Sequence, residues 1–135
     1  MRYLLDTNVC IMYLNGRSSL VCDRILSVPT GEMVVCSVVK AELFYGAMRS
    51  RNPTKTFEQQ QAFLRQFISL PFGDEAATIC GQIRARLAGK GTQIGAYDLQ
   101  IAAIALANDL TLVTHNTREF ERVEGLQIED WEIEV

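Results

Sequence analysis

The chain opens with Tyr3-Leu4-Leu5-Asp6-Thr7-Asn8, a short apolar run that stops at a carboxylate followed by two polar side chains. Such a run predicts a buried parallel strand that ends at Asp6 and leads into a helix. Ligands of open α/β sheets bind at the carboxyl ends of the strands. We therefore expect Asp6 at a functional edge of the sheet. A simple helix-capping role would explain this residue equally well.

The composition is typical of an ordinary globular protein, with 48% hydrophobic and 21% charged residues among 135. This length fits a single domain, residues 1–135. No apolar run reaches the roughly 18 residues of a membrane span, and the strand at the N-terminus leaves no room for a signal peptide. We therefore expect a cytoplasmic protein. The four cysteines contain no C-x-x-C pair, which favours free thiols over a disulfide or a zinc site: Cys10, Cys22, Cys36 and Cys80.

The net charge of −3 does not indicate a nucleic-acid-binding protein, but the charges are unevenly distributed. Most basic residues lie between Lys40 and Lys90. The segment from Glu119 to Glu134 is mainly acidic. A basic face could contact phosphates despite the acidic total. A solvated surface of mixed charge is the alternative interpretation.

Apolar runs and helical periodicity alternate along the rest of the chain. Further strands are predicted at 33–36, 70–72, 111–113 and 126–128. Helices are predicted at 8–14, about 19–28, 38–48, 54–69, 74–89, 97–107 and 118–120. Ser37 and Thr54 are the expected N-caps of two of these helices, and Pro71 favours an edge position for its strand. The alternation implies an α/β fold with a mostly parallel sheet of four to five strands, covered on both faces.

Four further oxygen-bearing side chains follow predicted strands or begin helices at the same edge of the sheet as Asp6: Glu42, Asp98, Asn116 and Glu119. Clustered carboxylates repel one another and need a neutralising partner. Oxygen ligands without histidine or cysteine favour Mg²⁺ or Mn²⁺. Such sites cleave phosphodiesters.

Each of these residues also has a purely structural interpretation. Glu42 could be a surface residue and Asp98 the N-cap of its helix. Asn116 could serve in a turn, and Glu119 could be a solvated acid in the first turn of a helix. His115 is more simply a surface imidazole than a general base. The metal hypothesis depends on the joint pattern.

Four segments together resemble the PIN-domain ribonucleases, and more narrowly the VapC-type toxins of bacterial toxin–antitoxin pairs. They are L-L-D-T-N (4–8), S-V-V-K-A-E-L (37–43), Y-D-L-Q-I-A-A (97–103) and L-V-T-H-N-T-R-E-F (112–120). The resemblance runs the length of the chain. It implies a three-layer α/β/α domain and a Mg²⁺- or Mn²⁺-dependent endoribonuclease. It also implies a homodimer that a cognate antitoxin holds inactive, in a complex that can assemble further.

The family's acidic positions fall on Asp6, Glu42 and Asp98. Where many members carry a fourth aspartate, this chain has Asn116, and Glu119 is the nearest carboxylate. We expect Glu119 to supply the fourth charge of the catalytic metal site. The supporting polar residues are then Thr7, Asn8, Thr114 and Asn116. The candidates for binding RNA phosphates are Arg49, Arg51, Arg84, Arg86 and Lys90, each of which could equally be plain surface charge.

The resemblance to toxins that open with L-D-T-N makes the anticodon region of a tRNA the expected target. Two apolar stripes, Leu43-Phe44-Tyr45 and Phe57/Phe63/Phe67, are expected in the core or a dimer interface, with an antitoxin groove as the alternative. A receiver domain is disfavoured because no lysine follows Lys90. A haloacid-dehalogenase-type phosphatase is disfavoured because Asn8 stands where a second aspartate is required. The remaining alternative is a catalytically silent PIN-like module that binds metal or RNA.

Overall fold

The computed structural model describes residues 1–133 and contains one parallel sheet of five strands. They are β1 (Tyr3–Leu5), β2 (Met33–Cys36), β3 (Ile68–Leu70), β4 (Thr111–Val113) and β5 (Ile128–Glu129). The strand order is β3-β2-β1-β4-β5, so β1 lies at the centre. The predicted α/β fold with a parallel sheet is confirmed. Glu134, part of the predicted acidic segment, lies outside the described residues.

Seven helices flank the sheet in the described part of the chain. They are α1 (Thr7–Asn15), α2 (Ser19–Ser27), α3 (Ser37–Met48), α4 (Pro53–Leu64), α5 (Asp74–Lys90), α6 (Ala96–Ala107) and α7 (Thr117–Phe120). A short 3-10 turn, Thr30–Glu32, precedes β2. Strands β1 and β2 are buried along their whole length, as expected for a parallel sheet that is covered on both faces.

Several helix ends follow from local sequence chemistry. Gly16 ends α1 in the left-handed conformation with φ of 65°, which glycine adopts without steric cost. The Ser18 hydroxyl caps α2 by accepting a hydrogen bond from the Val21 N–H at 3.2 Å. Helix α6 buries every residue from Ile101 to Ala105, in agreement with its apolar sequence.

Two predicted N-caps are wrong. Ser37 is the first residue of α3, behind Cys36, and its hydroxyl instead donates to the Leu70 carbonyl on β3 at 3.5 Å. Thr54 lies inside α4. The carboxamide of Asn52 caps this helix by accepting from the Lys55 N–H at 3.2 Å, and Pro53 takes the first helical position, where its missing N–H costs nothing.

The segment between α4 and α5 also differs from the prediction. Helix α4 ends at Leu64 instead of near Ser69, and the chain turns before β3. That strand covers Ile68–Leu70 and stops before Pro71, because proline has no N–H to donate to the ladder. It lies at the edge of the sheet, as expected. The last strand, β5, likewise begins later than predicted, since Leu126 belongs to the turn around Gly125.

The acidic C-terminal segment is not simply a solvated surface. Trp131 is buried and packs edge-to-face on Tyr3 with ring centroids 5.2 Å apart. The Arg24 guanidinium lies over the Trp131 ring and also contacts Glu129, with 3.4 Å between Nη2 and Oε1. These contacts hold the segment after β5 against the centre of the sheet.

Three of the six residues of the two apolar stripes are in the core, and Phe44 and Phe57 are half-buried. Leu43, Phe63 and Phe67 are buried, whereas Tyr45 is 64% exposed. The four cysteines are all free thiols, as predicted. Among the helices described here, none is both long and apolar enough to cross a membrane.

Candidate active site

Asp6 occupies the carboxyl end of the central strand and caps α1. Its Oδ1 accepts a hydrogen bond from the Thr7 N–H and its Oδ2 accepts one from the Thr114 hydroxyl, both at 2.8 Å. Thr114 directly follows β4 and is fully buried. Burial raises the pKa of the Asp6 carboxyl, and these two donors oppose that shift. The capping role and the position at the sheet edge are therefore both realised.

Glu42 lies beside α1 and is not a plain surface residue. The Thr7 hydroxyl donates to its Oε1 at 2.8 Å, so one threonine contacts Asp6 through its N–H and Glu42 through its side chain. Glu42 is half-buried on α3. The negative charge of Glu42 helps to raise the pKa of the Asp6 carboxyl.

Asp98 is the third residue of α6, behind the N-cap Gly95, so the predicted alternative that it caps the helix is wrong. Burial raises its pKa to about 7, and the nearby charges of Glu119, Asp6 and Glu42 contribute to the increase. Four carboxylates from four segments therefore act on one another. We call Asp6, Glu42, Asp98 and Glu119 the acidic cup.

Glu119, on α7, is held by two donors. Its Oε1 accepts from the Gly95 N–H at 2.9 Å and its Oε2 accepts from the Asn116 amide at 2.7 Å. Burial raises the pKa of this carboxyl, but the two hydrogen bonds, together with a hydrogen bond to Asp98 and the charge of Arg122, outweigh burial and the net pKa is lowered. Asn116 thus orients a carboxylate, and Glu119 is the acid at this corner of the cup.

The donor set of the acidic cup fits a hard divalent cation. Its side chains offer only oxygen atoms, and in the described chain none of them forms a salt bridge. Arg122 is close enough to Glu119 to help lower its pKa. Within residues 1–133, no three cup carboxylates bring oxygens within 4.8 Å of one another. An open cup of this kind suits an ion that keeps several water ligands, as Mg²⁺ does.

His115 contacts acids other than those of the cup. It is exposed, and its Nδ1 lies 2.9 Å from Asp130 Oδ2 and 3.6 Å from Glu132 Oε2. These three side chains form a separate group whose ligand atoms lie within 4.8 Å of one another. The structure therefore places the histidine with the C-terminal acids, in agreement with its interpretation as a surface residue.

The five basic candidates for RNA binding are all exposed but differ in surroundings. Arg49 follows α3, and its guanidinium lies 5.3 Å from the Tyr45 ring centroid. Arg51 is in the next loop. On α5, Arg86 is paired with Glu124 at 3.7 Å, while Arg84 borders a separate cavity that also contains Cys80. Lys90 ends α5.

A cavity of about 640 Å³ adjoins the cup and includes two residues that the sequence analysis did not assign to the site. Glu42, Thr7 and Asn8 line it together with the exposed rings of Tyr45 and Tyr97. The positions of both tyrosines relative to the cup carboxylates could have indicated them from the sequence. Tyr45 follows Glu42 by three residues, which places the two on one helix face, and Tyr97 directly precedes Asp98.

The sequence pattern of the PIN domain family matches residues 3–126. The tRNA(fMet)-specific endonuclease VapC of Shigella flexneri is 40% identical over 131 residues, which cover 97% of this chain and 98% of that protein. This chain is a PIN-domain protein of the VapC family. Ribonuclease VapC2 of Haemophilus influenzae is 37% identical with the same coverage, so the similarity of this PIN domain extends across several VapC proteins.

Solved structures agree with this assignment. The PIN domain matches a chain in the crystal structure of DNA-bound VapBC from Salmonella typhimurium with a TM-score of 0.91 and 39% identity, over 97% of this chain and 98% of that chain. VapBC2 from Rickettsia felis, bound to a promoter DNA fragment, gives a TM-score of 0.89 at 31% identity, over 97% and 99%. The resemblance predicted from the four sequence segments is thus confirmed.

Proposed function

We propose that this PIN domain is a metal-dependent endoribonuclease toxin that a cognate antitoxin neutralises. The observation that carries the proposal is the acidic cup, which brings Asp6, Glu42, Asp98 and Glu119 from four segments to the carboxyl edge of a parallel sheet. The names of the relatives support the activity, and their complexes support the partner.

Asp6 and Asp98 would hold a Mg²⁺ or Mn²⁺ ion directly, with Glu42 and Glu119 completing the site, partly through water. When bound, the cation supplies Lewis acidity that offsets charge on the reacting phosphate and activates water. Thr7 and Thr114 hold Asp6 with both oxygens fixed. Asn116 and the Gly95 N–H hold Glu119 in the same way.

The substrate proposed first is tRNA, because a relative of 40% identity carries the name tRNA(fMet)-specific endonuclease. The anticodon region is proposed as the site of the cut from the resemblance of the opening segment alone. We further propose that residues 1–135 form a single domain that acts in the cytoplasm as a homodimer, and that can assemble further with its antitoxin. The basic candidates Arg49, Arg51, Arg84, Arg86 and Lys90 would contact RNA phosphates. Arg86 is the weakest of them because Glu124 already offsets its charge.

The proposal predicts that Asp6→Asn abolishes cleavage while the fold is retained. The antitoxin-free chain is incubated with total RNA and with purified tRNA(fMet), in Mg²⁺, in Mn²⁺ and in EDTA. Discrete products are expected only with a metal ion, and their 5′ ends locate the cut. We expect at least a hundredfold loss for Asp6→Asn, because a cup ligand loses its charge.

Asp23→Asn is the matched control, since Asp23 is an exposed acid on α2 outside the cup. It should cleave like the unaltered chain. Undiminished cleavage by Asp6→Asn would refute the assignment of the site. If the unaltered chain binds metal and RNA but releases no products, the silent-module alternative is correct. An elongator methionine tRNA tests whether the preference extends beyond tRNA(fMet).

A further inference from the structure

Tyr45 and Tyr97 are the two exposed aromatic side chains in the part of the chain that the structure describes. They are 64% and 60% exposed, and both line the cavity beside the acidic cup. A tyrosine ring in water leaves a large apolar surface uncovered. That both such rings adjoin the same cavity indicates a ligand with flat apolar faces.

Each ring is tied in sequence to a carboxylate of the cup. Tyr45 lies three residues after Glu42 on α3, and Tyr97 lies immediately before Asp98 on α6. Because the rings come from two different helices, a chain passing through the cavity meets both of them and the cup together. A cavity volume of about 640 Å³ is within the range of about 300–1,000 Å³ that small-ligand sites occupy.

The charge that lines the cavity is the carboxylate of Glu42, which a bound cation would offset, and one arginine beside the rings makes a nucleic acid the ligand that fits both features. The Arg49 guanidinium lies 5.3 Å from the Tyr45 ring centroid, so a cation that can pair with a phosphate accompanies the stacking surface. Single-stranded RNA is recognised by stacking of its unpaired bases on aromatic rings, with its backbone held by cations. A paired helix would hide those base faces.

We propose that Tyr45 and Tyr97 are base-stacking platforms that hold unpaired nucleotides next to the acidic cup. The anticodon region proposed above as the substrate is a loop, in which bases near the cut phosphate are free to stack. This inference deepens the proposed nuclease function and depends on the same site. The two tyrosines position the strand and take no part in the chemical step.

The test uses the full chain and a single-stranded oligoadenylate that carries 2-aminopurine, a base whose fluorescence falls when it stacks. Ca²⁺ replaces Mg²⁺ so that RNA is held without being cut. Tyr45→Leu and Tyr97→Leu remove the rings, while Tyr45→Phe and Tyr97→Phe keep them. We expect each leucine variant to bind 5- to 150-fold more weakly, corresponding to about 1–3 kcal/mol per stacked base, and to lose quenching. The phenylalanine variants should retain both.

Leu26→Ala, at a 72% exposed position on α2, is the control and should change neither affinity nor quenching. The proposal is overturned if the leucine variants bind and quench like the unaltered chain. It is also overturned if the leucine variants bind RNA normally but bind the cognate antitoxin more weakly in a parallel titration. That result would make the rings a contact for a protein. Quenching by a chain that does not cleave RNA would support the stacking role while refuting the nuclease, so the two failures are distinguishable.

Discussion

Thr114 shows how much of the site depends on one hydroxyl group. It is fully buried, donates to Asp6 Oδ2 at 2.8 Å and accepts from the Asn116 N–H at 3.0 Å. It therefore joins the carboxylate at the end of β1 to the loop after β4. Because Asp6 is itself buried, the loss of any donor increases the free-energy cost of keeping its carboxylate ionised.

We predict that Thr114→Val lowers the free energy of unfolding by about 1–3 kcal/mol at pH 7, because valine keeps the shape but leaves Asp6 Oδ2 without its buried donor. Urea unfolding in EDTA measures the loss. Thr114→Ser retains the hydroxyl and should recover much of this stability, apart from the cost of the missing methyl group. Equal losses in both variants would show that the hydrogen bond contributes little.

The carboxylates of the cup could be predicted from residue type and position, but their partners could not. Asp6 lies at the end of an apolar run, which the sequence displays directly. Its donor Thr114 is 108 residues away, and only the pairing of β1 with β4 brings them together. The donor that holds Glu119 is the backbone N–H of Gly95, and a backbone donor cannot be recognised from residue type.

At the level of elements, α4 carries a polar group that the fold leaves without a partner. Gln60 is 7% exposed, and its Oε1 has no hydrogen-bond partner within the described chain. It borders an open cavity of about 270 Å³ that residues of α1, α3 and α4 line. An unmatched buried carbonyl costs stability.

Gln60→Met should therefore raise the free energy of unfolding by about 0.5–1.5 kcal/mol, because methionine fills similar space without an unmatched oxygen. Chemical denaturation of the isolated chain measures this gain. Gln59→Met, at the neighbouring exposed position, should have little effect. A loss of stability in Gln60→Met would mean that the amide makes a hydrogen bond, for instance to water in the cavity.

Element types were easier to predict than element ends. The periodicity of α6 and the apolar run of β2 identify those elements without tertiary information. Ser37 and Thr54 are good capping residues, yet Cys36 and Asn52 occupy the caps. The end of α4 depends on where β3 must begin in order to pair with β2. That constraint is tertiary.

At the scale of the whole molecule, the burial of Asp98 and its repulsion by the other cup carboxylates make the stability of the metal-free protein depend on pH. The pKa of Asp98 rises from 3.8 to about 7, so between these values the folded chain holds a proton that the unfolded chain has released. The contribution of Asp98 to the free energy of unfolding therefore falls as the pH rises from about 4 to about 7. A divalent cation should reverse this loss by binding the deprotonated cup.

We predict that Asp98→Asn makes the metal-free protein more stable than the unaltered chain at pH 8 but not at pH 4. The difference should be about 1 kcal/mol, after allowance for solvent screening of a half-buried carboxylate. Thermal unfolding in EDTA at both pH values measures it. Mg²⁺ should stabilise only the unaltered chain. A pH-independent difference would show that the titration of Asp98 does not control this stability.

The strand order also determines when the cup can exist during synthesis. Strand β1 lies between β2 and β4, and the cup needs residues 6, 42, 98 and 119. Asp6 is translated first and Glu119 last. Thr114 and Glu119 can reach Asp6 only after β4 has paired with β1. Such distant pairing is slow to form. A growing chain in which β4 has not yet paired with β1 therefore has no complete cup, so the proposed nuclease activity is expected only after synthesis has passed residue 119.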